Sequence, residues 1–154
     1  MKAVVQRVNY ASVEIDGEVK AFINRGYLIL LGVGAEDNEN DAVILANKIS
    51  KLRIFCDEND KMNLSVRDVE GKALVISNFT LYANCTHGNR PDFFDSATPD
   101  IAKPLYERFV SLLTEAGVES YTGEFGADMK VSLQNDGPVT IILDSKQLIK
   151  KAHG

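Results

Sequence analysis

Nine residues, Gly26 to Gly34, read GYLILLGVG, with no charge and no alternation of polar and apolar positions. A strand that is apolar on both faces has to be covered on both, so it belongs in the middle of a sheet with other elements above and below. The rest of the chain must then supply flanking strands and covering helices. Before this run, KAVVQRVNYASVEIDGEVKAFI reads as a β-meander: alternation passes through Val4, Val8, Val13 and Ile15, and Asp16-Gly17 marks a tight turn. After it the period changes. In AEDNENDAVILANKISKLRIF, Ala42, Leu45, Ala46, Ile49 and Leu52 recur at helical spacing behind a cap at Asn38 or Asn40.

Beyond the polar, turn-rich CDENDKMNLSVRDVEGK, the run ALVISNFTLYA reads as another strand. TPDIAKPLYERFVSLLTEAG predicts a second helix, with Thr98 as N-cap, Pro99 in the first turn and Gly117 as C-cap. Pro104 removes one backbone hydrogen bond inside it, so a short first turn and a restart are expected there. Strand patterns return at residues 118–122, 131–133 and 139–143, and the last two runs meet at Asn135-Asp136-Gly137-Pro138. On local grounds this is a hairpin turn that ends in a proline unable to donate to a sheet. The alternative is a functional device: the glycine clears space for another molecule while the proline fixes the backbone. The expected fold class is α+β: one domain over residues 1–154, with a curved, mostly antiparallel β-sheet or barrel and two main helices.

At 154 residues the chain suits a single core, and 45% apolar with 25% charged residues is ordinary for a soluble globular domain. No apolar run reaches the roughly 20 residues of a membrane helix. The first residues carry charges and alternate, unlike a signal peptide. The cytoplasm is therefore the expected location, without a membrane partner. A net charge of −5 argues against broad, phosphate-driven binding to DNA or RNA, and leaves open the recognition of one RNA end by a local patch. Cys56 and Cys85 are far apart, with no C-x-x-C and no pairing with histidine, which predicts reduced, partly buried thiols and no metal.

Several segments invite a chemical reading. DENDKMNLSVRD resembles a calcium loop only superficially, because Lys61, Met62 and Asp68 replace a ligand, the required glycine and the bidentate glutamate; a solvated turn is expected. The two histidines are His87 and His153, and His87 lies two positions from Cys85 in a Gly/Asn-rich loop, more consistent with exposed, uncoupled side chains than with a nucleophile and base. In SNFTLYA, a buried strand runs into Ser77, Asn78, Phe79 and Thr80, whose polar groups and freed backbone N–H groups can line a pocket and bind an oxyanion. Equally, Ser77 and Thr80 can be strand residues facing solvent. FGADM, residues 125–129, is either an ordinary bend before a strand or a site element that pairs a flexible glycine with Met129.

Taken together, the residues resemble the D-aminoacyl-tRNA deacylase family over nearly the whole chain. MKAVVQRV opens the likeness, followed by DGE, LRIF, KMNLSV, RPDFF and LYERF at the family's spacings, and then by TGEFGADMKVSLQNDGPVTIILDS. The diagnostic motifs are S-Q-F-T-L, here Ser77 to Leu81, and G-P-V-T, here Gly137 to Thr140. The resemblance implies hydrolysis of the ester of D-aminoacyl-tRNA, and of mischarged glycyl-tRNA, by a homodimer without metal or cofactor. It implies that Gly137-Pro138, with a cis peptide bond, enters the partner's pocket, grips the substrate amino group and leaves no room for an L side chain. Arg7 would brace that motif, Phe79 would border an adenosine pocket and Met129 would lie at the pocket edge. The 2′-hydroxyl of the terminal adenosine would assist catalysis, with backbone groups of Ser77, Asn78, Phe79 and Thr80 positioning and polarising the ester. Only the acceptor end of the tRNA would be touched.

The chain departs from the family pattern in places. Asn78 stands where glutamine is usual, and His87 and Asp92 where lysine and serine are common, which removes positive charge beside the tRNA path. The tail KQLIKKAHG extends slightly beyond the usual end. Two rival readings follow. One is an RNA-end or small-molecule binding module that kept the fold but lost turnover through Asn78; the other is a hydrolase that uses Cys85 or His87.

Overall fold

The computed structural model describes residues 1–152. Its organising element is the strand β1, Lys2–Ile15, long enough to serve different neighbours along its two halves. On one edge its first half pairs antiparallel with β3 (Gly26–Gly32), and its second half with β2 (Glu18–Ile23). On the other edge β8 (Lys130–Asp144) runs antiparallel along the whole length, from Lys2 opposite Asp144 to Glu14 opposite Lys130. Beyond β3 the sheet continues in parallel through β6 (Lys72–Ser77) and β7 (Ser120–Thr122). Because β2 returns against β6 and β7, the curved sheet is nearly closed. The short β4 (Phe55–Cys56) and β5 (Met62–Leu64) form a separate hairpin.

The run GYLILLG is β3, and it is covered on both faces. Tyr27, Ile29 and Leu31 point outward with Ala3, Val5, Ala73 and Val75, under the helices α1 (Glu39–Lys51) and α2 (Pro99–Glu115). Leu28 points inward, with Val8, Ala11, Val13, Ile23, Leu74 and Ile76. Val8 and Ala11 lie three positions apart yet share the inner face, which strict alternation forbids. The register of β1 against β8 slips on either side of Val8, and such a slip turns the side chains over.

Helix α1 starts at the cap Asn38, in a reciprocal arrangement: the Asn38 side chain accepts from Asn40 N–H at 2.9 Å, and Asp41 accepts from Asn38 N–H at 2.9 Å. Helix α2 differs from expectation, since it runs unbroken through Pro104. A proline this near the start of a helix costs one backbone bond, while Ala102, Tyr106, Phe109 and Leu113 bury a continuous face that holds both sides of it. A third helix, α3 (Ser145–Ala152), joins the two that periodicity predicts. It packs Leu148 against the core in a segment that carries no stop or start signal of its own. No described helix is long and apolar enough to cross a membrane.

The segment read as two strand runs around a turn is a single strand with an interruption. Gln6 lies opposite Thr140 and Val8 opposite Asn135, so residues 136–139 bulge out opposite Arg7 alone. The Asn135 side chain spans the gap by donating to Arg7 O at 3.1 Å and Val139 O at 3.0 Å. A hairpin turn would have sent the chain back on itself. Here β1 pairs on both sides of the bulge and keeps the two halves of β8 in line.

Candidate active site

A cavity of 530 Å³ opens where β6 ends, with walls from three stretches of chain. Ser77, Asn78 and Phe79 form the first, Phe93 with Ser96 to Pro99 and Ala102 at the start of α2 the second, and Phe125, Gly126, Ala127 and Met129 the third, with Val33 beside them. Every lining residue is apolar or neutral, without a carboxylate, imidazole, thiol, amine or guanidinium. Within this wall there is no side chain to act as general acid or base near neutral pH. What remains is polar atoms and backbone.

The end of β6 arranges that backbone. Asn78 N–H continues the sheet by donating to Leu31 O at 2.8 Å. The next residues, Phe79–Tyr82, tighten into a 3-10 turn capped by Asn78, whose side-chain oxygen accepts from Thr80 N–H at 3.3 Å and from the Thr80 hydroxyl. Phe79 N–H, between them, donates to no described residue. A hydrogen-bond donor held in place beside an apolar cavity is the element that stabilises charge developing on a carbonyl oxygen. The turn is packed tightly from behind: a side chain at Gly32 would meet Asn78 O at 3.1 Å and Leu81 Cβ at 3.1 Å. The Phe79 ring is 56% exposed and stands edge-on to Phe93, with 5.0 Å between centroids.

Ser77, Asn78, Phe79 and Met129 thus share one cavity, whereas Thr80 contributes only through its contacts to Asn78. Arg7, Gly137 and Pro138 lie elsewhere, at the β8 bulge. The Arg7 side chain is nearly buried; it donates to Ile54 O at 2.7 Å and Asp136 O at 3.2 Å and pairs with the Asp136 carboxylate at 3.2 Å. It therefore ties the bulge to the body of the protein. Gly137 and Pro138 are exposed, joined by a cis peptide bond.

Cys85 and His87 are both exposed and outside the cavity wall, and Cys85 is less buried than its composition-based reading suggested. His153 lies outside the described residues. The acidic loop is a turn in which Asp57 accepts N–H groups of Asn59 and Lys61, and these bonds hold its carboxyl below the usual range. FGADM is a bend that also walls the cavity. Sequence reasoning did not assign Phe93, Ser96 to Pro99 or Ala102 to a site: Thr98 and Pro99 read only as a helix start, and only the likeness of RPDFF to a family motif touches Phe93.

A second set of polar groups lies behind the site. The amino group of Met1 contacts Asp37 at 2.6 Å and the Ser145 hydroxyl at 2.7 Å. Lys146 pairs with Asp41 at 2.9 Å, and the Ser145 hydroxyl donates to Asp41 at 2.6 Å. Burial pushes the Asp41 carboxyl up, but hydrogen bonds from Ser145, Asn38 N–H and Lys146 outweigh it and hold the group below the ordinary range. Tyr82 is half-buried, and that partial burial, with the Asp37 carboxylate facing it, pushes its hydroxyl well above the usual tyrosine value.

Fold and site together define a single α+β domain of a nearly closed curved sheet under helices, with an apolar pocket at the end of β6 and no ionisable side chain in its wall. The family described as D-Tyr-tRNA(Tyr) deacylase matches residues 4–144, and the chain belongs to it. A D-aminoacyl-tRNA deacylase of Fusobacterium nucleatum subsp. nucleatum is 56% identical over 146 residues, covering 95% of this chain and 97% of that one. One from Geobacter sulfurreducens is 58% identical, covering 95% and 96%. Among solved structures, one titled c-Myc DNA Unwinding Element Binding Protein superimposes with a TM-score of 0.86 at 42% identity, covering 94% of this chain and 98% of that one. A probable eukaryotic D-amino acid tRNA deacylase has the same fold, with a TM-score of 0.79 at 14% identity over 92% and 97% of the two chains.

Proposed function

We propose that the protein hydrolyses the ester of D-aminoacyl-tRNA, releasing free tRNA and the D-amino acid, as chiral proofreading in translation. The observation that carries this reading furthest is the cavity wall without an ionisable side chain, at the end of a strand that presents a free Phe79 N–H. Such a site can bind, orient and polarise an ester, and the proton transfers fall to the substrate and water. In the proposed step, water attacks the ester carbonyl carbon and Phe79 N–H steadies the oxygen that becomes negative. The bond to the ribose oxygen breaks, that oxygen leaves with a proton, and the neighbouring 2′-hydroxyl of the terminal adenosine assists.

Selection falls to Gly137 and Pro138. They are exposed and braced by Arg7, yet absent from the wall of their own subunit's cavity. In the proposal they reach the cavity of a second subunit, where their carbonyls hold the substrate amino group and an L side chain has no space. Glycine, without a side chain, is accepted, so glycyl-tRNA is also a substrate. The working unit is a cytoplasmic homodimer that grips only the acceptor end, with no DNA partner. Incubation with D-tyrosyl-tRNA and L-tyrosyl-tRNA tests the core of the proposal: ester loss is expected from the D form alone. Loss of both at the same rate would overturn selection, and loss of neither would leave a binding module on this fold.

A further inference from the structure

We propose that Phe94 is a stacking platform for the nucleobase that precedes the terminal adenosine, a subsite just outside the cavity; the inference rests on the acceptor-end reading of that cavity. Phe94 is 88% exposed, more than any other large apolar side chain described. Its position is built. Ser96 N–H donates to Phe93 O at 3.0 Å, closing a turn whose two ends, Phe93 and Ser96, line the cavity and whose corner carries Phe94. The turn is pinned to the chain beyond β3 by Ala35 N–H to Asp95 O and Ala97 N–H to Val33 O, both 2.9 Å. The backbone that carries the ring is thus fixed at the rim while the ring itself stays uncovered, so only its side-chain torsions have to be ordered when a partner's flat surface is received.

The size of the cavity says what reaches that rim. At 530 Å³ it matches one drug-sized ligand, such as a nucleoside with its amino acid, so the preceding nucleotide has to lie outside. Unpaired RNA bases are held mainly by stacking on aromatic side chains. Asp92 accepts from Phe94 N–H at 3.4 Å and Asp95 is the other corner residue, so the rim beside the ring is acidic and disfavours a phosphate. The contact is therefore ring on base, and its contribution hardly depends on salt.

Steady-state hydrolysis of D-tyrosyl-tRNA and of D-tyrosyl-adenosine, which lacks the preceding nucleotide, separates the possibilities. Phe94→Ala is expected to raise KM for the charged tRNA about tenfold at unchanged kcat and to leave D-tyrosyl-adenosine unaffected. Phe94→Trp should restore the tRNA KM, and both results should hold from low to physiological salt. An unchanged KM for charged tRNA, an equal loss on both substrates, or a subunit mass altered by Phe94→Ala in sedimentation would each overturn the subsite. A wild-type protein inactive on both substrates would instead overturn the functional reading, and the subsite with it.

Discussion

A methyl group added at Gly137 would lie 2.9 Å from Val139 Cγ2 and 3.1 Å from the Arg7 guanidinium, at a φ of +126° that residues with side chains rarely adopt. Gly137→Ala is therefore expected to shift the bulge and lower the D-aminoacyl rate by tenfold or more, on the order of 1–2 kcal/mol of backbone strain. A circular dichroism melt close to wild type would separate this from loss of fold, and a fully active, selective variant would refute the role given to the bulge. Asn78 makes a second test. Its short amide caps the 3-10 turn through Thr80 N–H, and Asn78→Ala should cost about 1 kcal/mol of stability, like other cap deletions. If the cap also aims Phe79 N–H, kcat falls while KM for D-tyrosyl-tRNA stays, and Asn78→Asp, which retains the acceptor, recovers part of the rate. These residues became candidates because glycine, proline and a strand-terminal Asn-Phe-Thr are distinctive in a short stretch. Local chemistry alone left each open to an ordinary turn or strand, and only the family likeness gave them roles. Phe93 and Ser96 did not become candidates, since nothing in their neighbourhood announces a wall.

The elements differ in how much of them local pattern carries. β3 and α1 were readable because each has a single unambiguous period and, for α1, a cap. β8 was misread as two strands, because the residues that break its pattern, Asn135 to Pro138, are also the residues of hairpin turns. Only its partner β1, with side chains paired on both sides of the bulge, keeps the chain going straight. Close packing between strands also leaves a sharp prediction. A side chain at Gly26 would come within 1.8 Å of Lys72 O, so Gly26→Ala has to separate β3 from β6. A loss of about 4 kcal/mol is expected, seen as a lower denaturant midpoint or as failure to fold. A variant of wild-type stability would mean that the two strands are not so close in solution.

At the scale of the molecule, Asp41 links α1, the first residue and the β8–α3 junction through Ser145 and Lys146. Its carboxyl is held below the ordinary range, so its contribution is complete above the unfolded-state value and fades as pH falls through the lower folded-state value. Asp41→Asn is expected to cost about 2 kcal/mol at pH 7, with the gap to wild type closing in acid. A gap that stays constant down to pH 2 would exclude the linkage. The proposed exchange of Gly137-Pro138 between subunits has its own signature. A Gly137 variant and a cavity variant, each inactive alone, should regain roughly a quarter of wild-type activity when mixed and allowed to exchange subunits, since half the dimers then hold one intact site. No recovery would mean that each site is built from one chain.

By itself the sequence determined the sheet-and-helix class and the central position of GYLILLG, because periodicity and caps are local properties. It singled out Ser77 to Thr80 and Gly137-Pro138 as candidates through their resemblance to a family. The tertiary structure alone decided that Pro104 stays helical, that β8 is one strand, that the tail forms a third helix, and that three distant stretches enclose one cavity with no ionisable wall. These depend on which surfaces meet. A bulge persists only when a partner strand pairs on both sides of it, and a pocket exists only where the packed core leaves room.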